Sequence, residues 1–228
     1  MSEGAFGDLP RARTSTLVQQ VHDELRQRIF DGRLPPGADV PDSVIAKQMG
    51  VSRAPVRDAC NLLVQAGLLT KRQNHPFRVR LWALDDTGDL NLIRWGYEAA
   101  AVRRLVQLHR APSDVEAPLA AMDDALERGD AAASFRADFD FHFALVGSSG
   151  VEELTRLHRR VGERLLLVPL PAELPAFILE RQRSRHQEIL DVLAACRRVG
   201  DPTDVIRLLG RHILGTRSPA EQEDRPGG

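Results

Sequence analysis

Three residues, Gly50-Val51-Ser52, separate two amphipathic segments, and this short connection constrains the chain more than any other feature. Before it, "DSVIAKQM" carries Val44, Ile45 and Met49 at helical spacing, an inward face. After it, "RAPVRDACNLLVQA" carries Val56, Ala59, Cys60 and Leu63 as one apolar stripe. Gly50 stands where a left-handed glycine commonly ends a helix. Ser52 suits the N-cap of the next one, since its hydroxyl can accept a bond from a free N–H of the first turn. Pro55 falls inside that turn, where N–H groups have no intrahelical partner and a proline costs little. The pattern predicts helices over Asp42–Met49 and Arg53–Ala66. Arg53 and Arg57, four residues apart, leave from the side opposite the stripe.

The flanking sequence completes a motif. Leu17, Val18, Val21, Leu25 and Ile29 predict an earlier helix over Thr16–Asp31, which "GRLPPGADV" breaks at Pro35-Pro36-Gly37. Beyond Gly67, Leu69, Phe77, Val79 and Leu81 alternate with polar residues around "QNHP", the period of a short hairpin. Two helices joined by a tight turn and followed by a hairpin form a winged helix-turn-helix. In that motif the N-terminal residues of the second helix of the pair meet base edges in the major groove. An arginine there can bond guanine O6 and N7. Charge agrees: residues 11–82 hold twelve Lys and Arg against six Asp and Glu, whereas the rest from residue 83 holds nineteen against twenty-four. A polyanion is the natural partner of the basic part.

The stretch "GRLPPGADVPDSVIAKQMGVSRAPVRDACNLLVQAGLL" resembles the DNA-binding signature of GntR-family bacterial transcription regulators. The Pro-Gly after the first helix, the Gly-Val-Ser-Arg turn and the Pro-Val-Arg that follows carry the likeness. The resemblance implies Arg53 and Arg57 as DNA contacts, with others near Asp42 and Ser43 at the start of the second helix. The candidate DNA-binding set is Ser43, Ser52, Arg53, Ala54 and Arg57, with Lys71, Arg72, Asn74 and His75 on the wing. Relatives usually turn the wing at glycine; here Asn74 stands at or beside the turn, and asparagine tolerates a left-handed backbone.

From residue 83 on, apolar residues recur at three and four, and the expectation is helices only. They run over about 90–109 (with Leu92, Ile93, Tyr97, Ala100 and Leu105), 113–128, 131–146, 151–168, 176–197 and 204–214. "DFDFH" sets Asp138 and His142 on one helix face, able to grip one metal ion. His186 and His212 come from two later helices. Spacing alone leaves an Asp–His structural contact and core histidines open as readings. The region resembles the FCD effector domain of the FadR-like branch, an all-helical bundle. That resemblance implies a divalent metal held by Asp138, His142, His186 and His212, with zinc first and nickel, manganese or iron as alternatives. It also implies a small carboxylate bound beside the ion. "LIRWGYEAAAV" is similar to the branch's opening helix, with Arg94 and Glu98 on its Arg-x3-Glu pattern, and Arg94 is the candidate effector anchor. Two departures stand out: the segment around "CRRVGDPTD" is longer than usual, and Val151 replaces a frequent asparagine. His158 lies on a helix of the bundle and could approach the site, but a surface or capping role is the expectation.

The expected class is mainly α: a winged helix-turn-helix over residues 14–82, then a helical ligand-binding and dimerisation bundle over 83–216. Two cysteines without paired spacing argue against a disulfide framework or a cysteine zinc site, and fit a reducing cytoplasm. The N-terminus lacks the apolar run of a signal peptide. "LLLVPLPAELPAFIL" is too short and broken to span a bilayer. The expectation is a homodimeric regulator, repressor in type, that binds double-stranded operator DNA under a small organic acid effector and is not an enzyme. Two rival readings are a metalloenzyme with an accessory nucleic-acid-binding head and a DNA-binding dimer whose helical half is structural. No general-base motif such as His-Glu-x-x-His supports the enzyme.

Overall fold

The computed structural model describes residues 15–82, 87–168 and 176–215. The chain divides into two compact units, one ending at Leu81 and one beginning at Trp82.

The first unit holds α1 (Ser15–Phe30), β1 (Asp39–Val40), α2 (Asp42–Met49), α3 (Arg53–Gln65), β2 (Leu69–Lys71) and β3 (Phe77–Val79). Val21, Leu25 and Ile29 of α1 pack toward α3, whose Val56, Ala59, Cys60 and Leu63 are wholly buried. Burial pushes the Cys60 thiol up to about 12, so it behaves as a small apolar side chain. Gly50 takes φ 66°, and its N–H and that of Val51 both reach the Ala46 carbonyl, closing α2. The sheet is antiparallel in the order β1-β3-β2, with Val40 opposite Phe77 and Leu69 opposite Val79.

Four sequence expectations are corrected here. The strand β1 was not foreseen, because two residues between Gly37 and Pro41 are too few to show alternation. Leu81 is exposed, since the hairpin ladder ends at Val79. Val44 and Met49 are also exposed; only Ala46 of α2 is buried, and a helix of eight residues presents little more than one inward turn. Ser52 does occupy the N-cap of α3, with extended φ −71° and ψ 164°, but its side chain makes no capping bond. Pro55, the third helical residue, has no N–H to give, which leaves the Ala54 N–H as the one remaining donor for such a cap.

The second unit is all-helical: α4 (Thr87–Gln107), α5 (Glu116–Arg128), α6 (Ala131–Gly147), α7 (Glu152–Leu165), α8 (Ala176–Val199) and α9 (Thr203–Leu214). Asp130 caps α6, its carboxylate accepting the Ala133 N–H at 2.9 Å. The core gathers Val102 and Leu105 of α4, Met122 of α5, Phe141 and Leu145 of α6, Ile189 and Leu193 of α8, and Leu209 of α9. Residues 200–202 connect α8 to α9, so the extra length near "CRRVGDPTD" is taken up by helix more than by loop. Helices α6 and α7 meet so closely at Gly162 that a Cβ there would lie 1.4 Å from the Phe139 ring. Only glycine fits.

Helix α4 turns differently from its apolar pattern. Leu92, Ile93 and Ala100 face outward, while Leu90, Arg94, Glu98, Ala101, Val102 and Leu105 are buried. An inward face that carries an arginine and a glutamate defeats a reading based on hydrophobic periodicity.

Candidate DNA interface and metal centre

At the N-terminus of α3, Ser52, Arg53, Ala54 and Arg57 are all exposed, as is Ser43 on α2. The Arg53 Nη2 donates to both carboxylate oxygens of Asp42, at 2.9 and 3.1 Å. Arg57 Nε lies 3.7 Å from the same carboxylate. On the wing, Lys71 donates to the His75 carbonyl and holds its ammonium 4.4 Å from the Phe77 ring centre. The His75 N–H reaches the Arg72 carbonyl at 3.2 Å, and Asn74 adopts φ 61° between them. Arg72, Asn74 and His75 are exposed at this tip. The wing is thus a closed turn in which asparagine stands in the left-handed position.

In the second unit, the four candidate ligands converge. One donor atom each of Asp138, His142, His186 and His212 lies within 4.8 Å of all the others. The His142 and His212 Nε2 atoms are 3.0 Å apart, His186 and His142 Nε2 3.2 Å, and His186 Nε2 and Asp138 Oδ1 3.0 Å. Ligand atoms bound about 2 Å from one ion stand at about such mutual distances. Asp138 and His142 share a face of α6, and α8 and α9 bring in the other two.

A second layer surrounds them. Glu98 Oε2 accepts from His142 Nδ1 at 2.6 Å, which leaves the His142 Nε2 lone pair directed at the other ligands. Glu98 Oε1 accepts from Arg94 Nε at 2.8 Å and from His158 Nε2 at 3.1 Å. Arg94 Nη2 also reaches Asp138 Oδ2, at a longer 3.4 Å. His158 stacks on Phe139 with ring centres 6.2 Å apart and planes 3° from parallel.

Burial and charge set the protonation states. Burial drives His142 down to about 4, helped by Arg94, and drives His212 down to about 3, helped by His142. Both imidazoles are neutral at pH 7, the form that binds a metal. Burial alone would raise the Glu98 carboxyl, but His142 and Arg94 outweigh it and hold it well below the usual range. Asp138 is held down in the same way against burial, by His186, His142 and Arg94. The cluster thus brings two neutral imidazoles and a carboxylate held ionised to one buried point. Three imidazole nitrogens and one carboxylate oxygen suit a borderline divalent metal, so the residues fit the expected ion.

Residues 17–79 match the family described as "Bacterial regulatory proteins, gntR family", and residues 92–215 match the FCD domain. The chain is a GntR-family transcriptional regulator of the FCD branch. One relative, described as "Probable D-xylose utilization operon transcriptional repressor" of Paenarthrobacter nicotinovorans, is 31% identical over 206 residues, 89% of this chain and 88% of that one. The Nta operon transcriptional regulator of Aminobacter aminovorans is 37% identical over 136 residues, 57% of this chain and 62% of that one. A GntR transcriptional regulator structure from Rhodococcus sp. RHA1 superposes with a TM-score of 0.73 at 26% identity, covering 89% of this chain and all of that one.

These relatives are regulators, and the rival metalloenzyme is set aside on that ground. GntR regulators bind operator DNA, and the mainly helical fold with an N-terminal winged helix-turn-helix is the one expected. Among the described residues, no helix is long and apolar enough to cross a membrane.

One sequence reading of this GntR regulator's site needs correction. His158, assigned to the surface or a cap, is fully buried against Glu98. The signal lay in α7 itself: Leu154, His158, Val161 and Leu165 form one stripe at helical spacing, so His158 belongs to the inward face. Glu98 is likewise buried, a hub for three donors where an exposed helix pair with Arg94 had been an open alternative.

Proposed function

We propose that this regulator is a homodimeric, cytoplasmic repressor whose operator binding responds to a small organic acid held beside a divalent metal in the FCD domain. The observation that carries the reading is the largely buried convergence of Asp138, His142, His186 and His212 on one point. Zinc suits the donor set best; nickel, manganese and iron fit it too. The ion would supply open coordination positions for an anionic oxygen.

Arg94 supports selectivity in this scheme. A guanidinium fork matches a carboxylate. Its 3.4 Å contact with Asp138 is at the limit of hydrogen bonding, and so is the tie an incoming carboxylate would replace. The tighter bond to Glu98 would keep the side chain in place. At the other end of the chain, Arg53 and Arg57 would read bases, with Ser43, Ser52, Ala54, Lys71, Arg72, Asn74 and His75 on the surrounding backbone. The outward Leu92 and Ile93 of α4, 54% and 44% exposed, support dimerisation through that helix. The mechanism is a population shift: an effector acts only if it binds one arrangement of the dimer more tightly than the other.

The reading is tested in one series. Protein purified without chelator is assayed for metal, then titrated onto a selected duplex while di- and hydroxycarboxylates are added. A stoichiometric ion and an acid that changes operator affinity at least tenfold are expected. A metal-free cluster with no acid response would instead favour the reading of a purely structural helical domain, which the direct His142–His212 contact at 3.0 Å supports.

A further inference from the structure

Among the described residues, the acidic side chain paired with the recognition arginines is Asp42, the first residue of α2. Its position is unusual for a DNA-facing surface, where phosphates repel a carboxylate. Yet Asp42 is well packed, 16% exposed, while Arg53 and Arg57 are 63% and 60% exposed. The flexible partners are the arginines; the fixed one is the aspartate.

We infer that Asp42 is a positioning residue for sequence readout, holding the Arg53 guanidinium in one orientation before DNA arrives. This rests on the reading that Arg53 meets a base. Arg53 Nη2 engages both oxygens of Asp42. A guanidinium carries five N–H donors in a planar fork, so one nitrogen turned to Asp42 leaves a further edge for a bidentate contact. An unheld arginine on an exposed helix turn samples many rotamers and can satisfy a phosphate as readily as a guanine. A held one presents a single edge. Asp42 also lies between Arg53 and Arg57, which would otherwise repel each other at i and i+4. Its negative charge opposes attachment to any duplex. The residue therefore lowers general affinity and raises discrimination.

That opposition gives the test. Full-length wild type, Asp42→Asn, Asp42→Glu, Arg53→Ala and the double variant Asp42→Asn/Arg53→Ala are each used to select sites from a randomised duplex pool. Each is then titrated onto the wild-type site and a scrambled duplex of equal composition. Wild type is expected to fix a guanine in each half-site. Asp42→Asn should bind the scrambled duplex as well or better, while its ratio of specific to scrambled affinity falls about fivefold or more. Asp42→Glu should recover most of that ratio. On the Arg53→Ala background, Asp42→Asn should change the ratio by less than about twofold, because the effect passes through Arg53. Equal shifts on both duplexes, in either direction, would overturn the inference, since a bulk charge or a folding defect acts on both alike. An Arg53→Ala protein that still selects the same guanine would remove the Arg53 reading, and the inference with it.

Discussion

The two units solve opposite electrostatic problems. The winged unit has an apolar core, Val21, Val56, Ala59, Cys60 and Leu63 all fully buried, and it places its arginines outside. The helical unit brings Arg94, Glu98, Asp138, His142, His158 and His186 into its interior. Solvated charges on a rigid frame can grip DNA without the frame depending on them. Buried charges cannot be separated from the fold, because each needs a partner to remain in place. A reader of DNA benefits from the first design. A sensor needs the second, since a ligand that changes buried charge must also change which conformations are stable.

The comparison breaks most visibly at Glu98. It bonds Arg94, His142 and His158 at once. Removing one partner of a buried ionic group costs about 3–5 kcal/mol, so Glu98→Ala should destabilise the helical unit by that much. Arg53→Ala should alter stability by less than about 0.5 kcal/mol. Both tryptophans, Trp82 and Trp95, lie in the second unit, so urea unfolding followed by tryptophan fluorescence reports on that unit alone. Equal midpoints for wild type and Glu98→Ala would show that the buried network is not structural.

Metal and pH act next. A divalent ion at 100 times its dissociation constant should add about 2.7 kcal/mol to the helical unit at neutral pH. His142→Ala should abolish that gain. Without metal, the histidines still give a sign. Their folded values, about 4 for His142 and about 3 for His212, lie below the ordinary 6.5. The unfolded chain therefore binds protons that the folded unit refuses, and stability is lost as pH falls from about 6.5 through about 4. A metal-free fluorescence midpoint that is flat over that window would contradict the neutral, buried state of both rings.

What the sequence revealed follows the same division. In the winged unit, conventional amphipathic patterning marks α2 and α3 to within a residue, and the turn chemistry of Gly50 and Asn74 is visible in residue type alone. The errors there, at β1, Val44 and Met49, arise in elements too short to carry a period. In the helical unit the boundaries were also legible, but the inward face of α4 was not, because Arg94 and Glu98 read as surface residues until their partners are known. His158 failed for a related reason: a lone histidine signals little, and the glutamate that makes it meaningful lies sixty residues away on another helix. The local rule is broken where charge is buried among partners from distant helices.

Smaller effects belong to the DNA surface. Arg53→Ala should cost about 1–3 kcal/mol on the selected operator and little on scrambled DNA. Arg72→Ala should weaken both alike and reduce the salt slope by about one. Gel shift or fluorescence anisotropy at several salt concentrations separates the two. Were Arg72→Ala to change base preference instead, the wing would have to enter a groove and read it.

The smallest expected difference sets one helix cap against another. Asp130 caps α6 with a real bond, 2.9 Å to the Ala133 N–H, so Asp130→Ala should cost about 1 kcal/mol. Ser52 stands in the same position on α3 with no such bond. Ser52→Ala should therefore change the stability of α3 by less than about 0.5 kcal/mol. Its exposed hydroxyl sits at a helix N-terminus, where phosphate binds well, so the same variant should weaken DNA binding measurably and without regard to sequence. Hydrogen exchange of the amides in α3 and α6 measures each cap where it acts, and anisotropy with scrambled DNA measures the other half of the claim. If exchange in α3 quickens as much in Ser52→Ala as exchange in α6 does in Asp130→Ala, Ser52 is a working cap and its assignment to the DNA backbone loses its support.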